Sequence, residues 1–134
     1  MKAATYPGHD RGETSIQTVL LVPVVLLILF LTVNAAALAH AGQVASLAAN
    51  RGAQLIASGS GDSKSVSEVR IEIARIIREL GGVLESEPIF STYDGEVEVD
   101  VRVKSPGMFP FLPRFVTRRA SAPLEQFLYE QDRR

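Results

Sequence analysis

A length of 134 residues leaves room for one small domain and an accessory segment, which argues against a multi-domain enzyme. Charge is spread evenly: residues 1 to 57 carry Lys2, Arg11 and Arg51 against Asp10 and Glu13, a formal +1, and residues 58 to 134 carry 11 basic and 13 acidic groups, a formal −2, so neither half is charged enough to suggest nucleic acid as a partner, which needs many phosphates neutralised by a clustered basic face. With no cysteine and only His9 and His40, disulfides, thiolate metal sites, multi-histidine sites and a Ser-His-Asp arrangement in the polar half are excluded as well.

Residues 1 to 10 (MKAATYPGHD) are short, polar and broken by Pro7 and Gly8, the composition of a disordered leader. From Val19 to Val33 only Pro23 and Thr32 interrupt a run of Val, Leu, Ile and Phe. Extended through Asn34 and the following alanines to Ala39, the run has 21 residues, which at about 1.5 Å per residue matches the roughly 30 Å of a bilayer's hydrocarbon core. Helical spacing continues through Val44, Leu47, Ala48, Arg51, Leu55 and Ala57, which implies one helix of about 40 residues whose second half leaves the membrane. Alanines replace the bulky residues in that second half. Small side chains let helix backbones approach closely, and alanine also simply propagates helix well, so packing against another helix and plain helix propensity are equal readings.

The segment SGSGDSKS (Ser58 to Ser65) ends this helix as a flexible hinge; the spacing of Gly59, Gly61 and Lys64 does not make a phosphate loop. Val66, Val69, Ile73, Ile76, Ile77 and Leu80 then recur with helical period, Ser65 and Glu68 form a candidate capping box, and Gly81-Gly82 is the stop. An amphipathic helix of about four turns is expected, with Glu68, Glu72, Arg75 and Glu79 on its wet side.

Asp94-Gly95 separates an apolar run from a strict alternation, the pair that a type I′ hairpin turn favours because both central positions need positive φ. Val97, Val99, Val101 and Val103 point one way; Glu96, Glu98, Asp100, Arg102 and Lys104 point the other. A two-residue loop sets Tyr93 opposite Glu96 and Phe90 opposite Val99, and leaves Ile89 inconsistently on the charged face. Ser105 to Phe115 is a loop with three prolines among aromatics, residues Phe115 to Leu124 supply a third strand, and FLYEQDRR is a polar tail. The expected fold is α+β: a long N-terminal transmembrane helix, then an amphipathic helix packed on a small antiparallel sheet of about three strands.

Candidate chemistry is sparse. Glu96, Glu98 and Asp100 put three carboxylates on one strand face, an arrangement that can supply oxygen ligands to calcium, but without a calcium-loop pattern a solvated face continued by Arg102 and Lys104 is the stronger reading. No opposed acid pair or nucleophile-base pair supports an enzyme, and neither a cofactor nor a small-molecule substrate is implied. Phe109, Phe111 and Phe115 read as a cover for one end of the sheet rather than a contact patch, and Arg118-Arg119 as surface. The apolar segment itself allows two readings: a signal peptide cut at small-x-small sites between Ala35 and Ala41, releasing a secreted binding domain, or an anchor. Lys2 and Arg11 before the span balance Arg51 and Lys64 after it, so charge alone sets no orientation.

The stretch RGETSIQTVLLVPVVLLILF resembles the start of TadE-like proteins, minor pilin-like components of tight-adherence (Flp-type) pilus systems. In that family a basic residue and a glycine precede a processing site, a glutamate stands five residues after the glycine, and an LP or VP pair opens the apolar helix. Arg11-Gly12 and Val22-Pro23 match; Gln17 stands where the family has glutamate. AANRGAQLIAS (Ala48 to Ser58) and RRASAPLE (Arg118 to Glu125) are similar to later family segments.

The resemblance implies a cytoplasmic leader over residues 1–12, cleavage between Gly12 and Glu13 by a prepilin peptidase, an assembly helix over 13–57 bearing Gln17 and Pro23, a hinge over 58–65, and an extracytoplasmic domain over 66–134. It also implies a single-pass protein of the cell membrane with its N-terminus in the cytoplasm, partnered by other pilin-like subunits and the tight-adherence secretion machinery. A carboxylate near the new N-terminus would pair with a neighbour's freed amino group. Gln17 keeps hydrogen bonding without charge, which implies weaker register control in assembly, or an uncleaved, anchored accessory role. Pro23 removes the helical hydrogen bond to the Val19 carbonyl, which bends the helix.

Overall fold

The computed structural model describes residues 10–58, 66–106 and 112–124, with side chains from Gln17 onward. The hinge residues 59–65, His9 and the aromatics Phe109 and Phe111 lie outside the described residues. Two compact units are present, Met1–Ala35 and Ala36–Arg134, and the division between them falls inside a helix. That helix, α1 (Asp10–Ser58), has 49 residues and runs through Pro23 without interruption.

In the C-terminal unit, α1 is followed by α2 (Val66–Glu79), β1 (Val83–Leu84), β2 (Ile89–Tyr93), β3 (Glu96–Lys104) and β4 (Phe115–Pro123). The antiparallel sheet is centred on β3, which pairs with β4 along one edge and with β1 and β2 in succession along the other. It is therefore three strands wide, as the sequence implies. The two-residue β1 extends that edge and carries too short an apolar pattern to be read in advance.

The hairpin has the expected register, with Tyr93 opposite Glu96 and Phe90 opposite Val99. Asp94 and Gly95 sit at φ 50° and 78°, both in the left-handed region that this turn requires. Ile89, paired with Asp100, is exposed at 64%, so its place on the charged face is real.

The α2 stop is a Schellman motif. Gly81 N–H donates to the Arg78 carbonyl at 3.1 Å and Gly82 N–H to the Ile77 carbonyl at 2.8 Å, with Gly81 at φ 74°. Glu68 lies in the first turn of α2, while its capping partner Ser65 is outside the described residues. Arg75 bridges Glu72 at 2.6 Å and Glu79 at 3.4 Å along the wet side. The core-facing stripe is Val69, Ile73 and Ile77, each at most 1% exposed.

Val97, Val99, Val101 and Val103 form the buried sheet face, none above 1% exposed. Ala120 and the half-buried Val116 and Ala122 of β4 extend it through pairing with Val99, Val103 and Val97. What covers this face decides the alanine question. Ala41, Val44, Ala45, Ala48, Ala49 and Ala53 of α1 are all buried in one cluster with α2 and these valines. The close approach that small residues permit is used within the chain: a Cβ on Gly52 would lie 2.6 Å from Ile73 Cδ1 and 3.4 Å from Val99 Cγ1. The second half of α1 is thus a core helix of the C-terminal unit.

Candidate functional site: the exposed half of α1

From Val19 to Val33, thirteen large apolar side chains are exposed, between 40% at Phe30 and 72% at Val19. Even at half of the ~1.5–3 kcal/mol that full burial of such a side chain is worth, leaving thirteen in water costs on the order of 10–20 kcal/mol, as much as a whole domain's net stability. A lipid or protein surface has to cover this segment. Among the described residues it forms the one helix long and apolar enough to cross a membrane.

Polar groups within it are managed locally. The Thr32 hydroxyl donates to the Ile28 carbonyl at 2.8 Å, four residues back. Asn34 is only 7% exposed, and its side-chain oxygen has no hydrogen-bond partner. Gln17 is exposed, shares a helix face with Leu20, Leu21 and Val24, and makes no hydrogen bond among the described residues. Pro23 lies next to this face, inside the continuous helix. Gly12 and Glu13 fall within the helical backbone of α1, and their side chains are outside the described residues.

The other candidates lie in the C-terminal unit and are occupied by neighbours. Arg119 Nε and Nη2 donate to the two carboxylate oxygens of Asp100 at 2.8 and 2.9 Å, and its Nη1 approaches Glu98 at 3.5 Å. This bidentate pairing holds the Asp100 carboxyl below its ordinary 3.8 and raises the Arg119 guanidinium. The acidic strand face is therefore a cross-strand ion-pair ladder. Arg102 continues it, donating to Thr117 Oγ1 at 3.2 Å and lying 4.6 Å from the Phe115 ring centroid. Phe115, exposed at 48%, caps the end of the charged sheet face with Arg102 laid across it.

Arg118, adjacent in sequence, projects to the opposite side of β4, with its Nη2 3.3 Å from where a Cβ on Gly42 would sit. The Arg118-Arg119 pair is thus split between two faces, as strand alternation demands. His40 is an interfacial residue whose Nε2 lies 3.2 Å from the Leu80 carbonyl beyond the end of α2. Sequence reading missed this contact, since nothing in the local pattern pairs residues 40 positions apart.

The chain is thus of the class in which a long apolar N-terminal helix continues into the core of a small α+β unit. Residues 12–54 match the family model described as TadE-like protein, the family that the opening residues resemble. The matched segment lies wholly within α1 and spans both its exposed apolar half and most of its buried half. A TadE-like segment of this kind points to a role in tight-adherence pilus assembly. Comparison with curated proteins and with solved structures returns no match.

Proposed function

We propose that this chain is a membrane-anchored, non-catalytic minor pilin-like component of a tight-adherence pilus, acting through helix–helix association of the exposed half of α1. The observation that carries the reading is the contrast within one helix: the large apolar side chains of residues 19–33 all stay 40% or more exposed, whereas one face of residues 41–57 is buried in the core. An exposed apolar helix surface suits lateral packing with other pilin-like helices in the bilayer. The alanine stripe, already buried, is removed from that role. The C-terminal unit stands outside the membrane and offers its surface to the secretion machinery, with the N-terminus in the cytoplasm and processing between Gly12 and Glu13 by a prepilin peptidase.

Photo-crosslinking from Leu26, exposed at 46%, in cells assembling the pilus tests the association. Adducts with a pilin-like subunit are expected, together with recovery of the chain in the membrane or sheared-pilus fraction. A soluble chain beginning near Ala41 would overturn the reading in favour of a secreted domain with a cleaved signal peptide.

A further inference from the structure

The C-terminal unit has two chemically different ends. His40 lies beside the Leu80 carbonyl, Gly42 against Val116 and Arg118, and Gly82 against Val44, so α1 enters the unit where α2 terminates and where β3 gives way to β4. At this entry end Val83 pairs with Lys104 and Phe115 with Lys104, and Ser105 N–H donates to the Arg114 carbonyl at 2.7 Å. The opposite end holds the Asp94-Gly95 turn, with Leu124 N–H donating to the Gly95 carbonyl at 2.9 Å.

Charge separates along this axis. Exposed Arg78, Lys104 and Arg114 ring the entry end, and none of the three has an ion-pair partner among the described residues. The acids at this end are Glu79, bound to Arg75, and Glu85. Asp94 and Glu96 flank the far-end turn with Glu68 of the first turn of α2 toward the same side, and Glu98 and Glu72 lie there in ion pairs with Arg119 and Arg75. The basic rim is interleaved with exposed apolar side chains: Leu80 at 39%, Val83 at 59% and Phe115 at 48%, the last with Arg102 across its ring.

We propose that this entry-end rim docks on the anionic headgroup surface of the membrane that holds the apolar half of α1. The proposal rests on the reading that α1 crosses a membrane. Basic side chains next to a span gain from anionic lipid, while apolar and aromatic side chains at the same level enter the headgroup boundary. The acidic far end is repelled by the same anionic surface, so it does not compete with the rim for the lipid. Within the C-terminal unit the rim lies at the end where residues 40–44 of α1 enter, so chain connectivity alone keeps it next to the apolar segment.

The test uses the full chain in nanodiscs of phosphatidylcholine, with or without phosphatidylglycerol, carrying a fluorophore on Val83→Cys or, as the far-end control, on Glu96→Cys. Nitroxide attached to lipid headgroups should quench the Val83→Cys label at least about twofold more in anionic than in neutral discs, with the difference reduced by high salt. The Glu96→Cys label should be quenched in neither. Arg78→Gln, Lys104→Gln and Arg114→Gln combined should abolish the lipid dependence while leaving hydrogen exchange of β3 unchanged. Equal quenching at both ends, or a triple variant that behaves like the parent, would overturn the proposal while leaving the span intact. Extraction of the chain by alkaline carbonate would instead overturn the span and the docking with it.

Discussion

Gly52 shows how one missing Cβ sets the distance between α1 and the rest of the core. Replacing glycine by alanine inside a helix ordinarily gains about 0.5–1 kcal/mol. Here the added carbon would meet Ile73 at 2.6 Å, and Ile73 is fully buried, so the overpacking cost of about 1–3 kcal/mol should win. Gly52→Ala is expected to lower the denaturation midpoint, and Ile73→Val in the same chain should recover part of the loss. Additive destabilisation by the two substitutions would show that this contact does not limit the packing.

The Asp100 carboxyl is held below its ordinary value by a clear structural cause, its two hydrogen bonds from Arg119. A depressed folded value means that the pair's stabilisation is present above the unfolded carboxylate range near 3.8 and fades as pH falls through the folded value. The pair is solvent-accessible, so its contribution is small. Carboxyl-carbon NMR titration of the full chain should find Asp100 titrating below 3.8, and Arg119→Ala should return it toward 3.8. Gln17 belongs to this scale as well: if a carboxylate five residues after Gly12 sets register, Gln17→Glu should raise incorporation into sheared pili. No change, or a loss, would count against that role.

At the scale of elements, the two turn motifs were legible because backbone geometry restricts which residues fit. Asp94, Gly95 and Gly81 occupy positive-φ positions that the sequence marks in advance. Gly81 has open space where a Cβ would stand, so Gly81→Ala should cost about 1 kcal/mol from its left-handed φ alone, read as a lower melting temperature with β3 still protected from exchange. The alternation in β3 identified the buried face because a strand has period two, and a one-residue slip would expose every valine. Ile89 looked misplaced by the same rule. Its exposure shows that the register is held by the turn and by the four valines, against the preference of one isoleucine.

For the molecule as a whole, one helix serves two solvents. Its first half is coated with bulky apolar residues that remain exposed, and its second half carries alanines whose methyl groups are buried under a sheet and a second helix. Substitutions in the two halves should therefore fail differently. Ala48→Asp places a charge at a position with 0% exposure and should unfold the C-terminal unit, a loss of more than about 3 kcal/mol, seen as loss of hydrogen-exchange protection in β3. Leu26→Ala should leave that protection unchanged and reduce crosslinking to neighbouring subunits.

The membrane-crossing length, the hairpin register, the α2 stripe and the resemblance of the opening residues were all present in the chain as written. Each depends on local geometry or on composition over a short window. Only the tertiary structure decided what the alanine-rich half of α1 packs against, because small residues suit a neighbouring subunit and an internal sheet equally well, and the choice turns on contacts between residues far apart in sequence. The same holds for the split of Arg118 from Arg119 and for the gathering of Arg78, Lys104 and Arg114 at one end. Residues from a helix, a strand and a loop acquire a common position only when the chain folds.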